Sequence, residues 1–256
     1  MGRIIAIANQ KGGVGKTTTA VNLAASLSMA GRSILLVDSD PQANATTGLG
    51  FERDPERAGL YDVLLGEQSI AEVCVQTELD HLLLVPSEPD LIGAEVELVA
   101  AQKRETRLKE ALAPVRDENA FVFIDCPPSL GLLTVNALAA ADGVIVPLQC
   151  EYYALEGLSH LMNTIELVRE SLNPQLSIDG ILLTMFDKRN SISHSVAEEA
   201  RDFFDGKVFR TQIPRNVRLS EAPSFGKPVL LYDTRSAGSE SYLALAKEVI
   251  EKFATP

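Results

Sequence analysis

The chain opens on an apolar run, residues 4–8, followed by a glycine-rich polar stretch. Apolar positions then recur at helical spacing, Ala20, Leu23, Ala24 and Leu27, and Gly31 closes the pattern. That succession predicts a buried strand, a turn and a helix. Predominantly apolar runs at residues 33–38, 82–85, 121–124, 143–148 and 178–186 predict further strands, buried on both faces as in a parallel sheet. Between them the pattern predicts helical pieces over 60–65 and 70–74. Residues 89–112 read as mostly helical, with Leu91, Ala94, Leu98, Leu108 and Leu112 roughly in phase, and 154–172 as an amphipathic helix. A last helix over 239–253 presents Tyr242, Ala246, Val249 and Phe253 on one face. Strands alternating with helices predict an α/β fold, a mostly parallel twisted sheet flanked by helices on both faces.

Composition changes this picture little. With 256 residues and 46% hydrophobic content the chain can fill one core. No linker, repeat or low-complexity tract divides it, so one domain over residues 1–256 is expected. The N-terminus is too short for a signal peptide, and no apolar stretch approaches the ~20 residues that cross a bilayer. The three cysteines, Cys74, Cys126 and Cys150, are widely spaced and suit buried thiols in a reducing cytoplasm.

Charge is more informative. The net charge of −12 argues against a histone-like nucleic-acid binder but leaves room for a local basic patch. Residues 207–218 supply a candidate, with Lys207, Arg210, Arg215 and Arg218 and no acidic residue.

The chemistry concentrates in residues 9–18, Asn-Gln-Lys-Gly-Gly-Val-Gly-Lys-Thr-Thr, between the first strand and the first helix. Glycines let a backbone curl so that successive N–H groups face an anion, and the helix N-terminus adds partial positive charge. A nucleotide is the expected occupant, held by Lys11, Gly12, Gly13, Val14, Gly15, Lys16, Thr17 and Thr18. Lys16 would meet the β- and γ-phosphates and the Thr17 hydroxyl would take a Mg²⁺ position. The usual first glycine of the phosphate loop is replaced by Gln10, and a second lysine, Lys11, stands early in the loop. Two more strand ends carry carboxylates: Asp38-Ser39-Asp40-Pro41-Gln42 after the second strand, and Asp125 after Phe121-Val122-Phe123-Ile124. In α/β sheets such carboxyl edges are where ligands bind. Asp125 is placed to orient water on Mg²⁺ opposite Thr17.

Lys-Gly-Gly-Val-Gly-Lys-Thr, Asp-Ser-Asp-Pro-Gln and the Asp125-Cys126-Pro127-Pro128 strand end, in that order, resemble the ParA/MinD superfamily of P-loop ATPases with a deviant loop. The segment Ile213-Pro214-Arg215-Asn216-Val217-Arg218-Leu219-Ser220-Glu221-Ala222-Pro223-Ser224 is similar to the Soj branch of the chromosomal ParA proteins, and the likeness covers residues 3–253. The resemblance implies an ATPase using ATP and Mg²⁺ that forms a face-to-face homodimer on ATP binding. It implies non-specific binding of double-stranded DNA, stimulation by a ParB-type partner and a cytoplasmic, nucleoid-associated location. It implies that Asp40 handles the attacking water, Asp38 supports the Mg²⁺ shell with Thr17 and Asp125, and Lys11 reaches the partner's nucleotide. Pro214 and Asn216 would face the base, and Arg189 and Arg218 would contact DNA phosphates.

Related functions compete. A MinD-like membrane helix would need a basic face, whereas the last helix sets Lys247 and Lys252 against Glu240, Glu248 and Glu251. Iron–sulfur carriers need paired cysteines. A tyrosine-kinase reading wants a tyrosine-rich tail, and only Tyr242 is near the end. A DNA-bound regulator with incidental ATP turnover is the remaining alternative.

Overall fold

A computed structural model describes residues 2–151 and 157–253. In chain order it forms β1 Arg3–Ile7, α1 Lys16–Met29, β2 Ile34–Asp38, α2 Asn44–Gly48, α3 Leu60–Leu65 and α4 Ile70–Val73. There follow β3 Val75–Gln76, β4 Leu82–Val85, α5 Leu91–Glu97, α6 Arg107–Leu112, β5 Phe121–Asp125, α7 Leu132–Ala140 and β6 Gly143–Gln149. The chain closes with α8 Leu158–Ser171, β7 Ser177–Thr184, α9 Ser191–Phe204, α10 Val217–Glu221, α11 Val229–Tyr232 and α12 Ala237–Phe253.

Seven strands join one sheet in the order β3-β4-β2-β5-β1-β6-β7. All neighbours pair parallel except the short β3, which pairs antiparallel with β4. This is the α/β architecture that the alternating pattern predicts, a P-loop NTPase fold. Alternate residues of a strand point to opposite faces. Ile4, Ala6 and Ala8 accordingly pack under α3, α5, α6, α7, α8 and α9, while Ile5 and Ile7 pack under α1 and α12. The central position of β1 puts the turn after it in the middle of the sheet's carboxyl edge, with β5 and β2 on one side and β6 and β7 on the other.

Several expectations need correcting. Residues 89–112 do not form one helical unit: α5 and α6 are separated by 3₁₀ turns at Leu98–Ala100 and Arg104–Thr106, and Lys103 takes a left-handed conformation with φ 54°. The polar run between Ala101 and Arg107 offers no apolar face to bury, so the helix has nothing to propagate on. β7 stops at Thr184 because Met185 is left-handed (φ 51°), and Phe186 instead donates its N–H to the Ile213 carbonyl. Part of the helix expected over 154–172 lies outside the described residues; α8 carries the rest. Helices α2, α7, α9, α10 and α11 and the short strand β3 are additional. Cys126 and Cys150 are buried, but Cys74 is only half-buried.

Candidate active site

The strand-turn-helix expected from residues 4–31 is present, and the details show what shapes it. Asn9, buried at the end of β1, ties the loop at both ends. Its amide donates to the Pro147 carbonyl at 2.7 Å and its Oδ1 accepts from the Lys11 N–H at 3.0 Å. From β7 the Thr184 hydroxyl donates to the Val14 carbonyl at 2.8 Å. Gly13 (φ 75°) and Gly15 (φ 88°) supply the left-handed turns, a region where side chains are disfavoured. No atom lies within 4 Å of where a Cβ of Gly12 or Gly13 would stand, so the loop faces open space. Gly15 caps α1 without a side chain, leaving the first-turn N–H groups for an anion.

Lys16 is buried, and its Nζ donates to the Lys11 carbonyl at 3.0 Å, folding the side chain back over the loop. Burial lowers its pKa, while Asp125 and Asp40 pull in the opposite direction. Lys11 pairs with Glu151 of the same chain, at the end of β6.

Strand register places the acids. Asp125 at the end of β5 lies level with Asp38 of β2 on one side and Ile7 of β1 on the other. Both carboxylates are fully buried. Asp38 is well supplied with donors: Thr46 gives its N–H at 2.8 Å and its hydroxyl at 2.7 Å, and Asp40 its N–H at 3.2 Å. Even so, burial outweighs these bonds and pushes Asp38 up to about 6. Among the described residues neither oxygen of Asp125 has a well-formed hydrogen bond, and the nearby Thr17 side chain is the one donor that favours its ionised form. Burial first, and Asp38 second, raise Asp125 well above the ordinary carboxylate range. Asp40, nearly buried, accepts from the Gln42 N–H at 2.9 Å.

Two adjacent buried carboxylates, one with no well-formed hydrogen bond, are costly unless a cation joins them. Hard divalent cations take oxygen ligands of this kind, so Asp125, Asp38 and the Thr17 hydroxyl fit Mg²⁺ beside a phosphate held by the loop.

Pro214 and Asn216, expected to face a base, lie beside the phosphate loop. Residues 213–215 join the edge of β7 through the Ile213 N–H to Leu183 and the Phe186–Pro214 bridge. With Gly15, Thr18, Met185 and Leu219, both residues line a cleft of about 340 Å³ next to the phosphate loop. The Asn216 Oδ1 caps α10, accepting from the Arg218 N–H at 3.0 Å, which fixes the side chain and leaves both amide N–H groups to meet a ligand.

The basic run is not free in space. Arg218 donates to Glu221 at 2.7 Å and lies 3.2 Å from Asp233, and Arg210 is held by Glu248 and Glu251. Among the described residues, Lys188, Arg189 and Arg215 make no ion pair, and together they line an open groove of about 640 Å³ beyond Pro214. Asn9 stands at the head of the 9–18 stretch, but the other residues that hold the site together, Thr46, Ser87 and Thr184, belong to no motif, and nothing local in the sequence marks them.

Comparison with known proteins agrees with this geometry. Residues 2–178 match a family model described as an AAA domain. The chromosome partitioning protein ParA of Myxococcus xanthus is 60% identical over 252 residues, covering 98% of this chain and 89% of that protein. The sporulation initiation inhibitor protein Soj of Bacillus subtilis is 56% identical over 249 residues, covering 97% and 98%. A crystal structure of cobyrinic acid a,c-diamide synthase from Mycobacterium smegmatis, with bound ADP and magnesium, superposes with a TM-score of 0.87. It is 38% identical, covering 100% of this chain and 96% of that one, and its name describes a different reaction. The partitioning relatives are much nearer in sequence, and they share the chain almost end to end. The chain belongs to the ParA/Soj family of chromosome-partitioning ATPases.

Proposed function

We propose that residues 1–256 form one ATPase domain that hydrolyses ATP with Mg²⁺ and uses the cycle to partition a chromosome or plasmid. The observation that carries this reading is the buried Asp125 carboxylate, with no well-formed hydrogen bond among the described residues, beside Asp38 and facing the Lys16 loop. Phosphoryl transfer needs positioning and positive charge more than covalent chemistry. Mg²⁺, held by Thr17, Asp38 and Asp125, would neutralise phosphate charge. The loop N–H groups and Lys16 bind and orient the phosphates. Asp40 accepts a hydrogen bond from the attacking water and aims it, and Pro214 and Asn216 hold the base.

In this reading Lys11 leaves Glu151 and meets the nucleotide of a second copy, so that ATP drives formation of a homodimer. The dimer holds double-stranded DNA through phosphate contacts, with Arg189 and Arg218 as the residues first expected to make them. A ParB-type partner stimulates hydrolysis and release, and the protein works in the cytoplasm on the nucleoid. Membrane docking has little support: the apolar face of α12 is spent on the core through Tyr242, Leu245, Ala246 and Val249. Among the described residues no helix is long and apolar enough to cross a membrane.

The test is Lys16→Ala. It should lose nucleotide affinity, ATP-dependent dimerisation and DNA retention together, measured by nucleotide titration, light scattering and DNA co-sedimentation. Normal ATP-dependent dimers from this variant would sink the assignment.

A further inference from the structure

The side chain of Asp40 can aim a water only if its own backbone is fixed, and the loop that carries it is awkwardly built. Ala43, three residues on, is left-handed with φ 53°, a conformation that non-glycine residues adopt only when their surroundings impose it. Within the loop, Asp40 gives its N–H to Asp38, and its carbonyl accepts from the Ala43 N–H at 2.8 Å. One further tether arrives from a distant segment. The Ser87 hydroxyl donates to the Asp40 carbonyl at 2.8 Å, and both residues are buried.

Ser87 stands just beyond β4, beside the end of β2, on a firmly held shelf. Pro86 before it accepts the Leu60 N–H at 2.9 Å. Glu88 after it, buried, accepts from Arg57 at 3.1 Å and from the Asp54 N–H at 3.3 Å. Ser87 also donates its own N–H to the Thr46 Oγ at 3.0 Å. That contact leaves the Thr46 hydroxyl proton free for Asp38, which takes it at 2.7 Å. One residue thus holds the peptide after Asp40 and orients the donor that serves Asp38.

We infer that Ser87 is a positioning residue for ATP hydrolysis, acting through Asp40. The inference rests on the reading of Asp40 as the water-handling carboxylate. Buried hydrogen bonds pinned to a rigid element preorganise a reacting group, and small displacements there cost rate more than binding. Ser87→Ala removes the hydroxyl bond to Asp40 and leaves the N–H bond to Thr46 in place. It should therefore separate rate from affinity.

The experiment measures Mg²⁺-dependent ATP turnover of the full chain with double-stranded DNA present. Ser87→Ala should lower kcat by roughly three- to twentyfold, the effect of one lost hydrogen bond, with the KM for ATP within twofold of the parent. Introduced into Asp40→Asn, the same substitution should change the residual rate by less than about 1.5-fold, because residues acting as a unit do not add. A purely structural role would lower both backgrounds alike. A smaller fall in kcat, a KM that rises in step, or an undiminished fall in the Asp40→Asn background overturns the inference. Normal turnover by Asp40→Asn itself overturns the reading of Asp40, and the inference with it, so the two failures are distinguishable. If Ser87→Ala does not fold, Ser87→Cys keeps the volume and substitutes a weak donor. The same split between kcat and KM is expected of it, and the same results count against the idea.

Discussion

Asp125 is a buried carboxyl group with no well-formed hydrogen bond among the described residues, and the consequences can be worked out with their sign. The folded chain raises Asp125 and Asp38 above the values they hold when unfolded, Asp38 to about 6, chiefly through burial. Between about pH 4 and 6 the folded state therefore binds more protons than the unfolded one, and stability falls as pH rises through that window. Above pH 6 the Asp38 penalty is complete, on the order of 3 kcal/mol for a shift of this size, while that of Asp125, raised well above the ordinary range, goes on growing at higher pH. Asp125→Asn removes one of the two charges. Without nucleotide or metal it should melt a few degrees higher than the parent at pH 7.5, and the gain should shrink as pH is lowered towards 4. The parent should recover the difference on adding Mg²⁺ and ATP, and the variant should not. A variant that melts lower at pH 7.5 and gains at low pH would reverse the sign and refute the argument. Lys11 invites a second test at this scale, because its partner in the structure is Glu151 of its own chain. In mixtures of Lys11→Ala with Asp40→Ala, a mixed dimer has one site with an intact Asp40 and a Lys11 donated by the other copy. ATPase activity above either variant alone is expected; none in verified mixed dimers would count against a role across the interface.

At the scale of elements, the phosphate loop and both acidic strand ends were legible because each is a short local string whose neighbours are a strand and a helix. What fixes their geometry was not. Ser87 and Thr184 reach the site across the sheet, and no spacing in the sequence announces a partner 47 or 170 residues away. Helix α7 was illegible for another reason: Leu132–Ala140 is apolar nearly all round and buried, so it shows no period. Helix α9 could have been read, since Asn190 caps it and Val196, Ala197, Ala200 and Phe204 fall on one buried face. A different close approach joins the two sides of the site. Gly50, beyond α2, and Gly226, after the turn at Ala222–Phe225, both have positive φ, and a Cβ on Gly226 would lie 2.6 Å from the Gly50 Cα. That contact links the segment that carries Thr46 to the wall of the base cleft at Leu219 and Pro223. Gly226→Ala should cost roughly 2–4 kcal/mol through left-handed strain and overpacking. It should also weaken ATP binding severalfold, as read by urea unfolding and nucleotide titration. Parent-like stability would show that the two backbones part easily.

For the whole molecule the proposed function raises the question of how a chain of net charge −12 would hold a polyanion. The family resemblance pointed to Arg189 and Arg218 alike, although only Arg218 belongs to the acid-free run 207–218. Space separates them. Glu221 lies one turn beyond Arg218 and Asp233 packs against it from the α11 end, so that arginine is already neutralised. Arg189 makes no ion pair among the described residues and shares its groove with Lys188 and Arg215, although Asp187 and Glu240 line it too and leave it only weakly basic. A phosphate contact made by Arg189 breaks no ion pair, though it must approach Asp187 and Glu240, whereas one made by Arg218 must first displace two carboxylates. Each neutralised phosphate contributes about 0.9 to the slope of log affinity against log salt, and a two-fold dimer counts each residue twice. Arg189→Ala should therefore make the slope shallower by roughly 1.8. Lys188→Ala and Arg215→Ala should each have the same sign, and Arg218→Ala a clearly smaller effect. ATP-dependent dimerisation should be unchanged in the Arg189 and Lys188 variants, which lie away from the nucleotide cleft, while Arg215, which lines it, should also alter nucleotide affinity. The measurement is DNA affinity of the ATP-bound dimer over a series of salt concentrations. A loss at Arg218 equal to that at Arg189 would mean that Glu221 and Asp233 release it at no cost, and would remove the distinction drawn from their ion pairs.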